Sequence, residues 1–137
     1  MSEDFPSRSH CPINYALESF GDKWTLLIIR DLMFKAKTSF NEFLSSNEKI
    51  STNILADRLR RLESLGIVSK EVSDENRSKL IYSLTRKGRD LLPIMMEITQ
   101  WSGRYDPQTN APEALLKRLE ADKLGLIKDI ETGWEHK

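Results

Sequence analysis

One stretch of the sequence, residues 51–66, constrains the fold more than any other. Its apolar residues recur three and four positions apart, as on one stripe of an amphipathic helix. Ser51 is a suitable N-cap, and Gly66 can end the helix in a left-handed conformation. We therefore predict a helix over residues 51–65 that buries one face. The residues of the stripe are Leu55, Leu59 and Leu62.

Two short runs rich in β-branched and aromatic residues follow this helix, at residues 67–72 and 80–84. The polar stretch between them suits a turn, with Asp74, Asn76 and Ser78. A helix leading into a hairpin is the order of a winged helix-turn-helix. In that fold the helix enters the major groove, and the hairpin (the wing) contacts the backbone or the neighbouring minor groove. We assign the recognition helix to residues 51–65 and the wing to residues 69–82.

The helix face opposite the leucines is polar, and it supplies most of the candidate DNA contacts. Thr52 and Asn53 lie on the first turn, where short polar side chains can reach base edges. Arg77 lies at the tip of the wing, where a cation meets phosphate. A solvated surface helix is the alternative interpretation of the helix alone. The predicted DNA-binding residues are Ser51, Thr52, Asn53, Asp57, Arg60, Arg61, Lys70, Arg77 and Lys79.

The distribution of charge favours nucleic acid, although its total does not. The chain has 21 basic and 21 acidic residues, so its net charge indicates no partner. Residues 51–89 hold nine basic and five acidic side chains, against six and seven before them and six and nine after them. The positive excess therefore coincides with the predicted helix and wing, as phosphate binding requires.

Helices are also predicted before this unit. Ser39, followed three residues later by Glu42, forms a capping-box pattern that predicts the start of a short helix. Asp22 is expected to cap an apolar helix over residues 23–34, and Pro12 to open the first helix of the chain. The expected apolar face of the helix at 23–34 comprises Trp24, Leu27, Ile28 and Leu32.

Two amphipathic helices are predicted after the wing. Thr85 should begin the first, over residues 86–101, and Pro93 is expected to bend it. The second should start near Pro112, with a kink or break at Gly125. Such apolar stripes must be buried on their own domain or on a partner, and we expect a homodimer. The stripes are Leu91, Ile94, Met95, Ile98 and Trp101 in the first helix, and Leu116, Leu119, Ile127, Ile130 and Trp134 in the second.

The predicted fold class is mainly α with a small β-hairpin: a winged helix-turn-helix with additional N- and C-terminal dimerisation helices. We predict an N-terminal arm (residues 1–10), a DNA-binding domain (11–105), and a linker with an amphipathic helix (106–137). In a two-fold dimer both recognition helices must face the same side of the duplex. Double-stranded DNA with an inverted-repeat operator is therefore the expected partner.

With these motifs in place, the chain resembles the HxlR family of bacterial winged-helix regulators, relatives of the MarR group. The matching segments are Cys11-Pro12, GDKWTLLIIRDL, SFNEFL, ISTNILADRLRRLESLGIV and YSLTRKGRDLLP. The resemblance implies a homodimeric DNA-binding repressor or activator. The chain departs from the usual family sequence at two places. Ser39 stands where a basic residue is usual, and the wing tip lacks the usual Pro-Pro-Arg.

Cys11 has two interpretations. The resemblance implies a thiol that senses quinones, aldehydes or oxidants, and a thiolate at a helix N-terminus is stabilised by the helix dipole. The alternative is a buried small apolar residue at a helix start. Cys11 is the single cysteine of the sequence. Sensing would then use alkylation, a mixed disulfide with a small thiol, or a Cys11–Cys11 disulfide across the dimer.

Other classes of protein are less consistent with the sequence. His10, Cys11 and His136 are its only histidines and cysteine, and they form neither a metal-ligand set nor a catalytic triad. We expect no enzyme and no cofactor. The sequence has neither a signal-peptide pattern nor an apolar run of the roughly 20 residues that span a membrane, so we expect a cytoplasmic protein. A winged helix used only for protein–protein contacts is the alternative function.

Overall fold

The computed structural model describes residues 8–135, over which the chain forms seven helices and one antiparallel hairpin. The expected class, a mainly α winged helix-turn-helix with a small hairpin, is confirmed. Most of the predicted arm, residues 1–10, lies outside the described residues. The elements are α1 (Pro12–Phe20), α2 (Thr25–Phe34), α3 (Phe40–Leu44), α4 (Thr52–Ser64), β1 (Val68–Val72), β2 (Leu80–Leu84), α5 (Arg86–Arg89), α6 (Leu92–Tyr105) and α7 (Glu113–Glu135).

Two compact units divide the chain after Arg89. The first contains α1 to α5 and the hairpin, and the second contains α6 and α7, which pack on each other. The predicted division at residues 105/106 separated α6 from α7. In the structure, residues 106–112 connect α6 and α7 within the second unit, and the division into functional domains stays a prediction.

The core of the first unit forms around α4, as predicted. All three leucines of the predicted stripe are buried, with 2% or less of their surface exposed. Several side chains from the neighbouring elements are equally buried: Ile28, Ile29, Phe43, Ile67 and Val68. Since burial of one such side chain stabilises by roughly 1.5–3 kcal/mol, this core fixes the orientation of α4.

The caps of α3 and α4 are those that the sequence predicts. The hydroxyl of Ser51 accepts a hydrogen bond from the Ile54 amide at 3.2 Å, and Gly66 ends the helix with φ +75°. Ser39 and Glu42 form the complete capping box at the start of α3. Both helices of the helix-turn-helix are therefore bounded by local side-chain hydrogen bonds.

α2 differs from its prediction in two respects. Asp22 Oδ2 accepts hydrogen bonds from the amides of Trp24 and Thr25, so the helix begins at Thr25, two residues later than expected. Its most buried positions include Ile29 and Met33, whereas Trp24 and Leu27 are half-buried. Ile28 of the expected face is buried, but the burial extends to Ile29 and Met33, because apolar residues cover most of this helix and leave its orientation undetermined by sequence.

The hairpin pairs Val68 with Leu84 at its base and Val72 with Leu80 near its tip. The Tyr82 amide donates to the Thr38 carbonyl at 2.8 Å, which joins the hairpin to the start of α3. At the tip, the side chain of Asn76 accepts hydrogen bonds from the amide and hydroxyl of Ser78. The predicted strands and polar turn are confirmed, with β1 beginning at Val68 rather than Ile67.

The helices after the wing are broken at other points than expected. Pro93 does not bend a long helix, because the chain forms the short α5 before α6 begins. Pro93 lies in the first turn of α6, where a backbone amide has no partner within the helix, so its missing amide proton costs no hydrogen bond. In α7 the break is at Asp122, whose φ is −157° and whose carboxylate accepts from the Gly125 amide at 3.1 Å. Asp122 therefore caps the second half of α7.

The apolar stripe predicted for residues 91–101 is only partly correct. Leu91 and Met95 are buried, but the side chains of Ile94, Ile98 and Trp101 remain exposed by 39%, 43% and 63%. The buried face of α6 instead includes Leu92, Met96 and Gln100. Of the five predicted positions in α7, Leu119 is buried and the other four are half-buried, while the unpredicted Leu126 is also buried.

Candidate nucleic-acid interface

The outer face of α4, defined by Asn53, Asp57, Arg60 and Ser64, is exposed along its whole length. It lies opposite the buried leucines, and the preceding Thr52 is exposed as well. An α-helix presented in this way can enter the major groove of B-DNA, which is about 12 Å wide. Ser51 has a local role in addition, because its hydroxyl caps the helix.

Asp57 on this face is paired with two cations. Its carboxylate lies 2.5 Å from Arg58 and 3.7 Å from Arg60. A carboxylate facing DNA would otherwise repel phosphate, so these pairs offset the repulsion. Asp57 keeps lone pairs with which it can accept from an exocyclic base amine.

Arg58 and Arg61 form a tethered flank beside the outer face. The Arg58 Nε donates to Asp22 Oδ2 at 2.8 Å, and Arg61 donates to the backbone carbonyl of Glu18, near the end of α1. The predicted contact of Arg61 with DNA stays a prediction, and one nitrogen of its guanidinium is engaged with α1. Both arginines therefore join α4 to the region where α1 ends and α2 begins.

The sequence prediction did not identify Arg58. Burial raises the pKa of its partner Asp22, but the hydrogen bonds from Thr25 and Arg58 outweigh this and lower that pKa to about 2 from 3.8. The only signal in the sequence was the three-residue spacing of Arg58 and Arg61 beside the leucine stripe. Nothing in that spacing indicates a partner 36 residues away.

A polar network holds the turn between α3 and α4. Asp31, which is 2% exposed, accepts hydrogen bonds from Arg30 and from the hydroxyl of Ser46. The same hydroxyl accepts from Lys37 Nζ at 2.8 Å, and Arg30 also pairs with Glu48 at 2.8 Å. The turn leading into α4 is thus tied to α2 by contacts that no local sequence pattern indicates.

The cations of the wing lie at different positions along the hairpin. Lys70 forms an ion pair with Glu63 of α4 at 3.3 Å, whereas Arg77 and Lys79 lie at the exposed tip. The three predicted wing residues are therefore all at the surface. Lys70 contributes to the junction of α4 with the hairpin as well.

Cys11 is exposed and stands at the N-cap position of α1, without a side-chain capping bond. The alternative of a buried apolar residue is therefore wrong. His10 is exposed beside it, and His136 lies outside the described residues. Between residues 8 and 135, no three His, Cys, Asp or Glu side chains form a metal-binding group, and no helix is long and apolar enough to cross a membrane.

Comparisons with known proteins agree with this geometry. Residues 19–110 match the family described as HxlR-like helix-turn-helix. YdeP of Bacillus subtilis, an HTH-type transcriptional regulator, is 34% identical over 116 residues, covering 85% of this chain and 88% of YdeP. YybR of the same organism, also an HTH-type transcriptional regulator, is 36% identical over 97 residues, covering 71% of this chain and 77% of YybR.

Solved structures show the same similarity. The redox regulator HypR in its oxidized form is 36% identical with a TM-score of 0.61, covering 69% of this chain and 96% of HypR. The reduced form of the transcriptional regulator YodB from B. subtilis is 32% identical with a TM-score of 0.59, covering 74% of this chain and 100% of YodB. The chain belongs to the HxlR-like helix-turn-helix family of transcriptional regulators.

Proposed function

We propose that this protein is a sequence-specific DNA-binding regulator, acting in the cytoplasm, whose α4 enters the major groove. The observation that carries the proposal is the exposed outer face of α4, held beside an exposed cationic wing in one compact unit. Thr52 and Asn53 contact base edges, and Arg60 contacts a base or a phosphate. Arg77 and Lys79 contact phosphate or the minor groove, with Lys70 nearer to α4.

A homodimer is the second part of the proposal. In the first unit, α1 exposes Ile13, Tyr15 and Leu17 by 70%, 57% and 53%. In the second unit, α6 exposes Ile94, Ile98, Trp101 and Tyr105, each about one helical turn from the next. Apolar faces of this kind mark protein interfaces. A second copy buries them, and the two α4 helices then face half-sites of an inverted repeat about 10 base pairs apart.

DNA footprinting on the region upstream of the gene that encodes the protein tests both parts. We expect a two-fold symmetric footprint, and Asn53→Ala should reduce the preference for that site over scrambled DNA. Light scattering of Trp101→Glu should show a weaker dimer, with Val72→Glu as the control, since Val72 is 52% exposed on the wing and not on a predicted dimerisation helix. Absence of DNA binding would favour the protein–protein module instead.

Response to electrophiles through Cys11 is a finer part of the proposal. It is supported by the exposure of Cys11 and by the similarity to YodB, of which a quinone-bound structure is 33% identical with a TM-score of 0.58. We expect 1,4-benzoquinone, a probe that alkylates thiolates, to change DNA affinity in the wild type and not in Cys11→Ser. Equal responses of the two proteins would reject Cys11 as a sensor.

A further inference from the structure

A groove of about 460 Å³ lies between α6 and α7, within the second unit. Its volume is in the range of small-molecule sites, about 300–1,000 Å³. Most of its surface is apolar and includes Gly103, Leu116 and Ala121. A Cβ at position 103 would lie 2.6 Å from Leu116 Cδ2, so glycine at this position allows the leucine to pack against α6.

The groove lies on the other side of α6 from the apolar row proposed for the dimer. Gly103 stands two residues after Trp101 and two before Tyr105. Two residues correspond to a rotation of about 200° in a helix. The groove is therefore separate from the surface that a second copy is proposed to cover.

Gln100 is a polar residue of the groove lining, and only 6% of its surface is exposed. Its Nε2 donates to Glu120 Oε1 at 2.8 Å. Since an ionised carboxylate only accepts hydrogen bonds, this bond fixes the amide orientation and turns the Oε1 of Gln100 away from Glu120. Within residues 8–135, that Oε1 has no hydrogen-bond partner. A buried acceptor without a partner costs free energy, which a donor bound in the groove would offset.

The charged residues of the groove lining are paired with one another. Arg104 donates to Glu120 Oε1 through Nε at 3.0 Å and Nη2 at 2.7 Å. The hydrogen bonds from Gln100 and Arg104 lower the pKa of Glu120, so its carboxylate is ionised at neutral pH. Lys117 Nζ lies 4.0 Å from the carboxylate of Glu113. A charged ligand would compete with one of these pairs, whereas a neutral ligand leaves both in place.

We propose that this groove binds a neutral small molecule that has an apolar body and one N–H or O–H donor. The apolar body packs on Leu116 and Ala121, and the donor binds Gln100 Oε1. The wall formed by α7 lies beyond residues 19–110, which match the family. Membership of the family therefore does not specify this site.

Indole is a suitable probe, because it is neutral and largely apolar and carries one N–H donor. 1-Methylindole is its matched control, since a methyl group replaces the donor hydrogen. Calorimetric titration of the full chain should show saturable binding of indole and about tenfold weaker binding of 1-methylindole, because Gln100 Oε1 then stays unpaired. Tryptamine and indole-3-carboxylate, which are charged at neutral pH, should also bind more weakly than indole.

Two pairs of variants locate the site. Gln100→Met removes the acceptor and nearly keeps the side-chain length, so it should bind indole and 1-methylindole equally. Gln108→Met, at an exposed position between α6 and α7, is its control and should discriminate between them as the wild type does. Ala121→Phe should fill the groove and lower the affinity for indole about tenfold. Ala114→Phe should not, because Ala114 is exposed on the same helix but does not line the groove.

Measurements on the wild type keep the test independent of how the variants fold. In an NMR titration, indole should shift the backbone amides of Gly103 and Leu116 more than those of α4. Equal affinity of the wild type for indole and 1-methylindole would reject the hydrogen bond to Gln100. Absence of saturable binding, or shifts confined to the first unit, would reject the groove as the site. No step involves DNA, so these results are independent of the proposed function.

Discussion

Arg60 and Arg61 are adjacent on α4, yet their side chains have different surroundings. The Arg60 side chain is 71% exposed and makes its ion pair with Asp57, in the preceding turn of the same helix. Arg61 is half-buried and donates to the backbone of Glu18 on α1. One residue corresponds to a rotation of about 100° in a helix. That rotation separates an exposed side chain from one that joins the helix to α1.

Several cations of the basic segment form hydrogen bonds within the fold. Of the nine basic residues between positions 51 and 89, Arg58 and Arg61 are engaged with α1 and the turn after it. Lys87 is engaged as well, donating to the Leu65 carbonyl at 2.8 Å and to the Tyr15 hydroxyl at 3.3 Å. These three side chains therefore hold α4 against its neighbours in the fold.

The largest expected effect is on the buried stripe of α4. Leu59→Ala should lower the free energy of unfolding by roughly 2–5 kcal/mol, since it removes a buried side chain and leaves a cavity. Chemical denaturation measures the change. Leu124→Ala is the control, because Leu124 is 81% exposed, and its effect should stay within about 0.5 kcal/mol. Similar losses in both variants would contradict the assignment of the core.

The tethered flank should show a smaller loss of stability with a separate effect on binding. Arg61→Ala should lower the free energy of unfolding by about 1–2 kcal/mol, because it removes a charge-assisted hydrogen bond between α1 and α4. Operator affinity should fall as α4 loses its position. The salt dependence of binding should keep its slope, since no phosphate contact is lost. A slope flatter by about one would instead place Arg61 on DNA.

Low pH should lower the stability of the same flank, because it protonates Asp22. The pKa of Asp22 in the folded protein is about 2, below the ordinary value of 3.8. Its stabilising contribution is therefore complete above pH 4 and is lost as the pH falls from about 4 towards 2. The contribution is at most about 2 kcal/mol, reduced because the carboxylate is partly exposed to solvent. The stability difference between wild type and Asp22→Asn should vanish over this range, and a constant difference would exclude the linkage.

Local signals allowed the sequence to predict the elements that position the interface. Ser51, Gly66 and the Ser39–Glu42 pair act on backbone groups within a few residues, so their effect can be inferred from sequence alone. The bonds from Arg58 to Asp22 and from Arg61 to Glu18 span 36 and 43 residues. They depend on how α1 and α4 pack, which no local pattern specifies.

The errors after the wing have a related cause. A periodic pattern shows that a helix has an apolar side, but α6 has apolar residues on more than one side. The structure buries Leu92 and Met96 and leaves Ile98 exposed. In α7, the pattern predicts a kink or break at Gly125, which interrupts the apolar stripe. The break lies instead at Asp122, whose carboxylate caps the next turn. A Cβ at position 125 would overlap with this carboxylate, so glycine is needed there.

Arg60→Ala should have the smallest effect on folding and a clear effect on binding. Its side chain is exposed and its ion pair with Asp57 spans 3.7 Å, so the free energy of unfolding should change by less than about 0.5 kcal/mol. Operator binding should weaken by roughly 1–3 kcal/mol, because a cation on the outer face is lost and Asp57 loses one of its two partners. Arg61→Ala, one residue away, should instead lower the free energy of unfolding and leave the slope of the salt dependence unchanged. Denaturation and salt titrations of both variants, measured side by side, decide whether the two sides of α4 have separate roles. If Arg60→Ala destabilises the protein and leaves binding by the folded fraction unchanged, the outer face has been assigned to the wrong side of the helix.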